Sequence, residues 1–404
     1  MKRTVSLLAI TLGLGTYGAA CGGGNENTGP VTPPTSATAP SGSASTTSAT
    51  PSATTGGTDA PKPTVADMWK KLGTAMNAGW AAHDIRAVGA LYSDSATVGA
   101  PGAKGWEELK ASEAMTRLGM FFTAVPDVKM QLVRSIYKDD KAAFEWYCAG
   151  TNTGEMMGEK ATGKKVAQHG LSIATLDKTS GKISHESLYM DDATIMGQLG
   201  KGAPGMKFRA ATDPAPGEPE MVWAKDGEDT SKNVAALMAM AQSMEKKDDK
   251  AFLATLDDNA TWAEYAQPAD MKGKDSAKKF FGEFTKAFPD LKVTAKNTFA
   301  AGDWVVAEWE MTGTFKGPLG GGAVKPTNKS ATTHAADVVK FKDGKAVMGS
   351  TYSNGLEFAV LYGLMPAPKM GGAKPADTKP VDTKKPEVKP ADTTKPADKP
   401  PPKK

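Results

Sequence analysis

Apolar positions along the chain fall into two series that repeat. Val65, Trp69, Leu72 and Met76 keep helical spacing, and Thr64-Val-Ala-Asp67 has the form of a capping box, so a helix is predicted from Val65. Val234, Leu237, Ala241 and Met244 repeat that spacing much later. Short amphipathic stretches, AVGALY and KAFLATL, follow each helix. The period then changes to two: KAAFEWYCAG, VAQHGLSIATL and KISHESLYMD alternate as half-buried strands do. Helices first and an antiparallel meander afterwards predict an α+β domain, its helices packed on one face of a curved sheet.

The repetition is an internal duplication. Residues 121–158 laid over 284–321 without gaps share twelve identities, among them Pro126 with Pro289, Asp127 with Asp290 and Trp146 with Trp309. Chance would give roughly two or three at ordinary residue frequencies. The reading is a first domain over 63–203, a Gly-, Pro- and Asp-rich linker over 204–229, and a second domain over 230–366. Each domain is long enough to bury its own core.

The ends are different in kind. MKR followed by the apolar VSLLAITLGLG reads as a secretory leader over residues 1–20, too short to span a membrane with flanks of its own. The following GAAC resembles a bacterial lipoprotein cleavage site, which implies lipidation of Cys21 and attachment to a membrane. Gly18 departs from that pattern, and ordinary cleavage near Ala20 is the alternative. The stretch to residue 62 is Gly, Ser, Thr, Pro and Ala with little apolar content, a disordered tether. Residues 367–404 repeat KPADT-like units and read as a solvated, extended tail.

Charge and cysteine content narrow the chemistry. Residues 366–404 hold ten Lys and five acidic residues, so a net +5 there leaves −1 for everything before it. A nearly neutral folded region argues against nucleic acid as partner. Cys148 sits in a predicted strand; with Cys21 lipidated it has no partner in the chain and reads as a buried free thiol. Four His show no metal-ligand spacing, and no cofactor motif is present. GEKATGKK at 158–165 nearly spells a phosphate-binding loop, but Lys165 replaces the needed hydroxyl and a strand follows where a helix should start.

GTNTGEMMGEKATGKKV (150–166), SGKI (180–183) and Asp191 with QLG at 198–200 resemble the SnoaL-like polyketide cyclase and ester-cyclase family, of the nuclear-transport-factor-two-like superfamily. The resemblance covers most of residues 65–203, with a weaker second copy. It implies two tandem cone-shaped α+β barrels, each with a deep, mostly apolar pocket between helices and sheet. It also implies an acid/base Asp on the last strand, here Asp191, acting in an intramolecular aldol closure without metal or cofactor. Tyr189 and Asp191 share a strand face, so both are expected to look into the cone, where desolvation would raise the carboxyl pKa. The alternative is that Asp191 opens the loop after its strand.

His169 is the second catalytic candidate, although a lone His on an apolar strand face is more often a satisfied core residue than a catalyst. Candidate ligand-binding residues are Tyr189, Trp146 and Met156, with His334, Tyr352, Asn354 and Trp309 in the second copy. His185 lies too far along its strand to assist Asp191, and His83 reads as surface.

YMDDATIMGQLG (189–200) returns as YSNGLEFAVLYG (352–363), with Asn354 where Asp191 stands. Asn cannot carry a proton, so the second copy reads as a degenerate, binding or structural half. The expected partner is a small apolar molecule in a cone, bound by a membrane-tethered protein. The alternative is a cofactor-independent cyclase or isomerase in the first domain. The two domains are expected to pair within the chain.

Overall fold

The computed structural model describes residues 63–214 and 217–367; the leader, Cys21, the tether and the tail lie outside the described residues. The first domain opens with α1 (Val65–Ala81), whose Thr64 and Asp67 form the expected capping box, and α2 (Ile85–Gly89). A hairpin of β1 (Tyr92–Gly102) and β2 (Gly105–Lys110) precedes α3 (Ala111–Ala124), so strands begin earlier than the helix-first pattern suggested. Then come β3 (Lys129–Lys138), β4 (Lys141–Thr151), β5 (Lys165–Asp177), β6 (Lys182–Met190) and α4 (Asp192–Leu199).

The segment expected to be plain linker contains β7 (Glu220–Trp223), which pairs parallel with β3 and closes the sheet as β2-β1-β6-β5-β4-β3-β7. The Trp223 ring stacks on Tyr137 at 3.9 Å, an anchor the Pro- and Gly-rich flanks conceal.

The second domain repeats the plan with α5 (Ser231–Lys246), α6 (Asp249–Ala254), β8 (Leu256–Glu264), β9 (Met271–Lys272), α7 (Gly273–Ala287), β10 (Lys292–Ala301), β11 (Trp304–Thr314), β12 (Ser330–Lys342), β13 (Lys345–Ser353) and α8 (Gly355–Leu361). Its strand order, β10-β11-β12-β13-β8-β9, matches the first sheet without β7. Apart from β7 on β3, both sheets are antiparallel except where β1 runs parallel to β6 and β8 to β13.

Alternation along β4 and β5 decides which residue sees what. Ala142, Trp146, Cys148 and Ala174 face the helices, packed with Trp69, Leu72, Phe122, Ile195 and Leu199. Ala143, Leu171 and Ile173 point the other way, onto the second domain. There they meet Phe299, Trp304, Val306, Ala336 and Val338 in one buried apolar layer, so the two sheets pack face to face. Burying large side chains of this kind stabilises by about 1.5–3 kcal/mol each, which makes the layer a core rather than a loose contact. Among the described residues, no helix is long and apolar enough to cross a membrane.

Candidate functional site

Asp191 and Tyr189 do share a face, but it is the face that meets the other domain. The helix-side positions of β6 are taken by Leu188 and Met190. The expectation that Asp191 looks into a cone is therefore corrected: the duplication supplies a second sheet that covers this side. Tyr189 donates to Glu308 Oε1 at 2.9 Å and Tyr352 donates to Glu145 Oε1 at 2.7 Å. Neither tyrosine looks into a cone, and both lie in the layer between the sheets.

Asp191 is the N-cap of α4 and is almost fully buried. Its Oδ1 accepts from the amides of Ala193 (3.1 Å) and Gly355 (2.8 Å), and its Oδ2 from the Thr194 amide (3.1 Å) and hydroxyl (2.5 Å). Burial pushes its pKa up, while these donors pull it down. Asn354 caps α8 in the same manner, Oδ1 accepting from Leu356 N–H at 2.9 Å. Its Nδ2 donates to Pro101 O (2.9 Å) and to Asp192 Oδ2 (3.0 Å). The Asp/Asn difference thus sits at the contact between two helix N-termini, one from each domain.

The remaining candidates divide by face. Trp146 donates its indole N–H to Ser172 Oγ at 3.2 Å, Trp309 donates to Asp337 Oδ2 at 3.0 Å, and Met156 is packed among core residues; all three lie on the helix side. His334 is held by Glu357, its Nδ1 2.7 Å from Oε1, with its ring 5.3 Å from Trp106 across the domain boundary. His83, expected at the surface, is half-buried: its Nε2 lies 2.9 Å from Val128 O and its ring stacks on Phe122. Cys148 is a buried free thiol whose pKa burial pushes up to about 12.

The structure brings the two catalytic candidates together. His169 and Asp191 line a cleft of about 240 Å³ with Tyr147, Arg209, Thr212 and Tyr265. Tyr265 and Pro268 come from the second domain and Arg209 from the connection, so the cleft lies between domains. His169 stacks on Tyr265 at 3.9 Å and 16°, and desolvation followed by the nearby Arg209 charge lowers its pKa to about 4. Arg209 Nη2 donates to Glu264 O (3.2 Å) and Asp270 Oδ1 (2.7 Å), while its buried Nε has no partner. Tyr147 is fixed by Thr212, Oη to Oγ1 at 2.9 Å. Sequence reasoning missed Arg209, Thr212 and Tyr265, which lie in or beyond a segment with no periodic pattern. Among the described residues, no group of three potential metal ligands occurs.

Two helix-covered sheets of matching strand order define a tandem pair of α+β domains. The profile of the SnoaL-like polyketide cyclase family matches residues 70–199 and again 234–358, and the chain belongs to that family. Among solved structures, AclR from Streptomyces galilaeus is 20% identical over 34% of this chain and 87% of its own (TM-score 0.31). A SnoaL-like protein of Jannaschia sp. CCS1 is 19% identical over 35% of this chain and 100% of its own (TM-score 0.32). IdmH from Streptomyces antibioticus is 18% identical over 32% and 97% (TM-score 0.29). No curated protein matches the chain.

Proposed function

We propose that this chain is a small-molecule binding protein whose site is the cleft between its two domains, and not a cyclase using Asp191. The observation that carries the reading is the saturation of the Asp191 carboxylate: each oxygen already accepts two hydrogen bonds, from Ala193, Gly355 and Thr194. A general base needs a lone pair within reach of the proton it takes, and this carboxylate has none to spare. His169, held neutral well below pH 7, is suited to stacking and hydrogen bonding. The cleft offers a place for a ligand, lined by Arg209, Tyr147 and Thr212 beside His169.

The N-terminal pattern supports a protein exported and tethered to the cell envelope through Cys21, its ligand met outside the cytoplasm. The small apolar guest expected from the resemblance gives way to one with polar groups, because the cleft is lined by Arg209, His169, Tyr147 and Thr212.

The test is native mass spectrometry of the full chain against an envelope extract, with Ala210→Trp, at the exposed edge of the cleft, as the blocked control. A defined adduct on the parent that is absent from A210W supports the reading. An adduct unaffected by A210W, or none at all, overturns it. Catalytic turnover of a cyclisable substrate that disappears in Asp191→Asn while affinity stays constant would restore the enzyme reading.

A further inference from the structure

We propose that the loop 267–270 of the second domain is a gate on the cleft, latched by the ion pair of Asp270 with Arg209; its use in admitting a ligand rests on the binding reading above. The rim of the cleft identifies the moving part. Ala210 and Thr212 of the connection and Pro268 of the loop are exposed lining residues, while Tyr147, Ala167, Asp191 and Thr194 are buried in the floor. The mouth therefore lies between the connection and the loop.

The two sides of this mouth are held unequally. The connection is fixed to the first domain. Gln198 Nε2 donates to Arg209 O at 3.1 Å, and Tyr147 Oη donates to Thr212 O at 2.9 Å. The Phe208 ring fills the space that a Cβ on Gly197 or Gly202 would need. The loop has no such anchorage. Residues 267–270 are exposed, and among the described residues the loop's backbone hydrogen bonds end at Gln267 N–H, which donates to Glu264 O at 2.9 Å, and resume at β9. Asp270 Oδ1, 2.7 Å from Arg209 Nη2, ties the loop to the connection across the mouth.

The duplication shows that this looseness is not a demand of the fold. In the first domain the corresponding hairpin keeps β1 and β2 paired from Thr97↔Lys110 to Gly102↔Gly105, closed tightly by Ala103 and Lys104. β8 and β9 pair only at Thr261↔Lys272 and Trp262↔Met271, and the chain between them opens into the stretch that borders the cleft. The latch itself suits release. The Asp270 side chain is 46% exposed and that of Arg209 20%, and pairs so open to water are weak and screened by salt. With Asp270 released, Pro268 leaves the rim, while Arg209 stays on the Glu264 carbonyl at 3.2 Å and against the Tyr265 ring.

The test compares the full chain with Asp270→Ala, an exposed loop substitution, using diethyl pyrocarbonate, which acylates neutral imidazole. Modification of His169, which lines the cleft behind the gate, is followed by peptide mass spectrometry. At about 0.01 M sodium chloride His169 should react about two- to fivefold faster in D270A than in the parent. The difference should vanish near about 1 M, where screening opens the parent as well. His83 and His185, which do not line the cleft, should react alike in the two proteins. Equal His169 rates at low salt, or no reaction in either protein, would overturn the gate. So would a difference that persists at high salt, or His83 and His185 accelerating in step. No ligand enters this measurement, so its failure leaves the adduct test of the binding reading standing, and failure of that test leaves the latch measurable.

Discussion

The Tyr189 hydroxyl of the first domain donates to the Glu308 carboxylate of the second at 2.9 Å. Its duplicate, Tyr352, donates to Glu145 of the first domain at 2.7 Å, and each Tyr–Glu pair stands at the same place in its copy. Residue i bonding j while j's counterpart bonds i's is the signature of a two-fold interface, here drawn inside one chain. The symmetry is broken around the carboxylates. Glu145 is paired with Arg134, whereas at the corresponding place Glu308 accepts from Asn297 Nδ2 at 2.7 Å. Burial pushes the Glu145 pKa up, and Arg134 is the main opposing influence.

Removing either hydroxyl leaves a buried carboxylate short of a donor. Tyr189→Phe and Tyr352→Phe should each cost about 1–3 kcal/mol. Because the apolar layer between the sheets is shared, both variants should shift one cooperative urea transition of the whole chain. Two separate transitions, with only one moved, would show that the halves unfold independently.

The Asp191/Asn354 difference is best explained by the same interface. With Asp at both caps, an added carboxylate oxygen would face Asp192 Oδ2 and Pro101 O, both acceptors, where Asn354 Nδ2 now donates to each. Asn354→Asp should therefore destabilise by about 1–3 kcal/mol near neutral pH. Adding Asp192→Asn restores a donor to the pair and should recover part of the loss. A double-mutant cycle by chemical denaturation checks this: strictly additive effects would mean that the two side chains are not coupled.

Gly355 belongs to the same contact. A Cβ there would lie 3.0 Å from both Asp191 Oδ1 and the Ala193 methyl. Gly355→Ala should push α8 from α4, lengthen the Gly355 N–H bond to Asp191 and lower the melting temperature. No loss in a thermal scan would show that the two helix starts can shift apart freely.

Much of the fold is legible in the sequence because period-two and period-3.6 patterns report one buried face each. Trp146, Trp309 and the α1 stripe declare themselves in that way. The side facing the other domain is less legible. Leu171, Ile173 and Tyr189 read as ordinary strand residues, and which of two buried faces meets helices and which meets a sheet depends on pairing that no local pattern encodes. The cleft was half legible: His169 and Asp191 were singled out, but on grounds of the wrong cavity. Arg209 could not be found, since its role depends on where a loop lies against Tyr265. The early β1–β2 hairpin was missed because YSDSATVGAPG carries too few apolar residues to show alternation.

Stability should fall as pH rises above neutrality, and Glu264 should be one reason. Burial pushes its pKa up to about 8, with the Asp337 and Asp191 charges adding to the rise and Ala266 N–H and Ser353 Oγ opposing it. The folded state then holds a proton that the unfolded chain has lost, so this contribution is full below the unfolded value near 4.5 and disappears as pH passes through about 8. Asp192 and Asp337, raised to about 6, act with the same sign at lower pH. His169, lowered to about 4, acts with the opposite sign below its ordinary value near 6.5. Glu145, Asp191 and Glu357, also raised by burial, act with the same sign. Melting temperatures between pH 6.5 and 8.5 should decline for the parent chain and decline less steeply for Glu264→Gln; equal slopes in the two proteins would remove Glu264 as a cause.

Cys148 offers a direct reading of how tightly the first domain is closed. Its side chain is buried against the helix side of β4, packed near Val166, Met156 and Phe122, and its thiol pKa stands at about 12. Thiolate is the reactive form, so native labelling is suppressed twice, by access and by ionisation. Iodoacetamide at pH 8 followed by peptide mass spectrometry should leave Cys148 unmodified in the folded protein and label it fully in urea. The native labelling rate should then follow the population of open molecules, as hydrogen exchange of a core amide does. Tyr352→Phe, which weakens the far side of the same sheet, should raise that rate about fivefold or more if its cost exceeds 1 kcal/mol. A Cys148 rate unchanged in Tyr352→Phe, with global stability lowered, would mean that the first domain stays closed when the interface loosens.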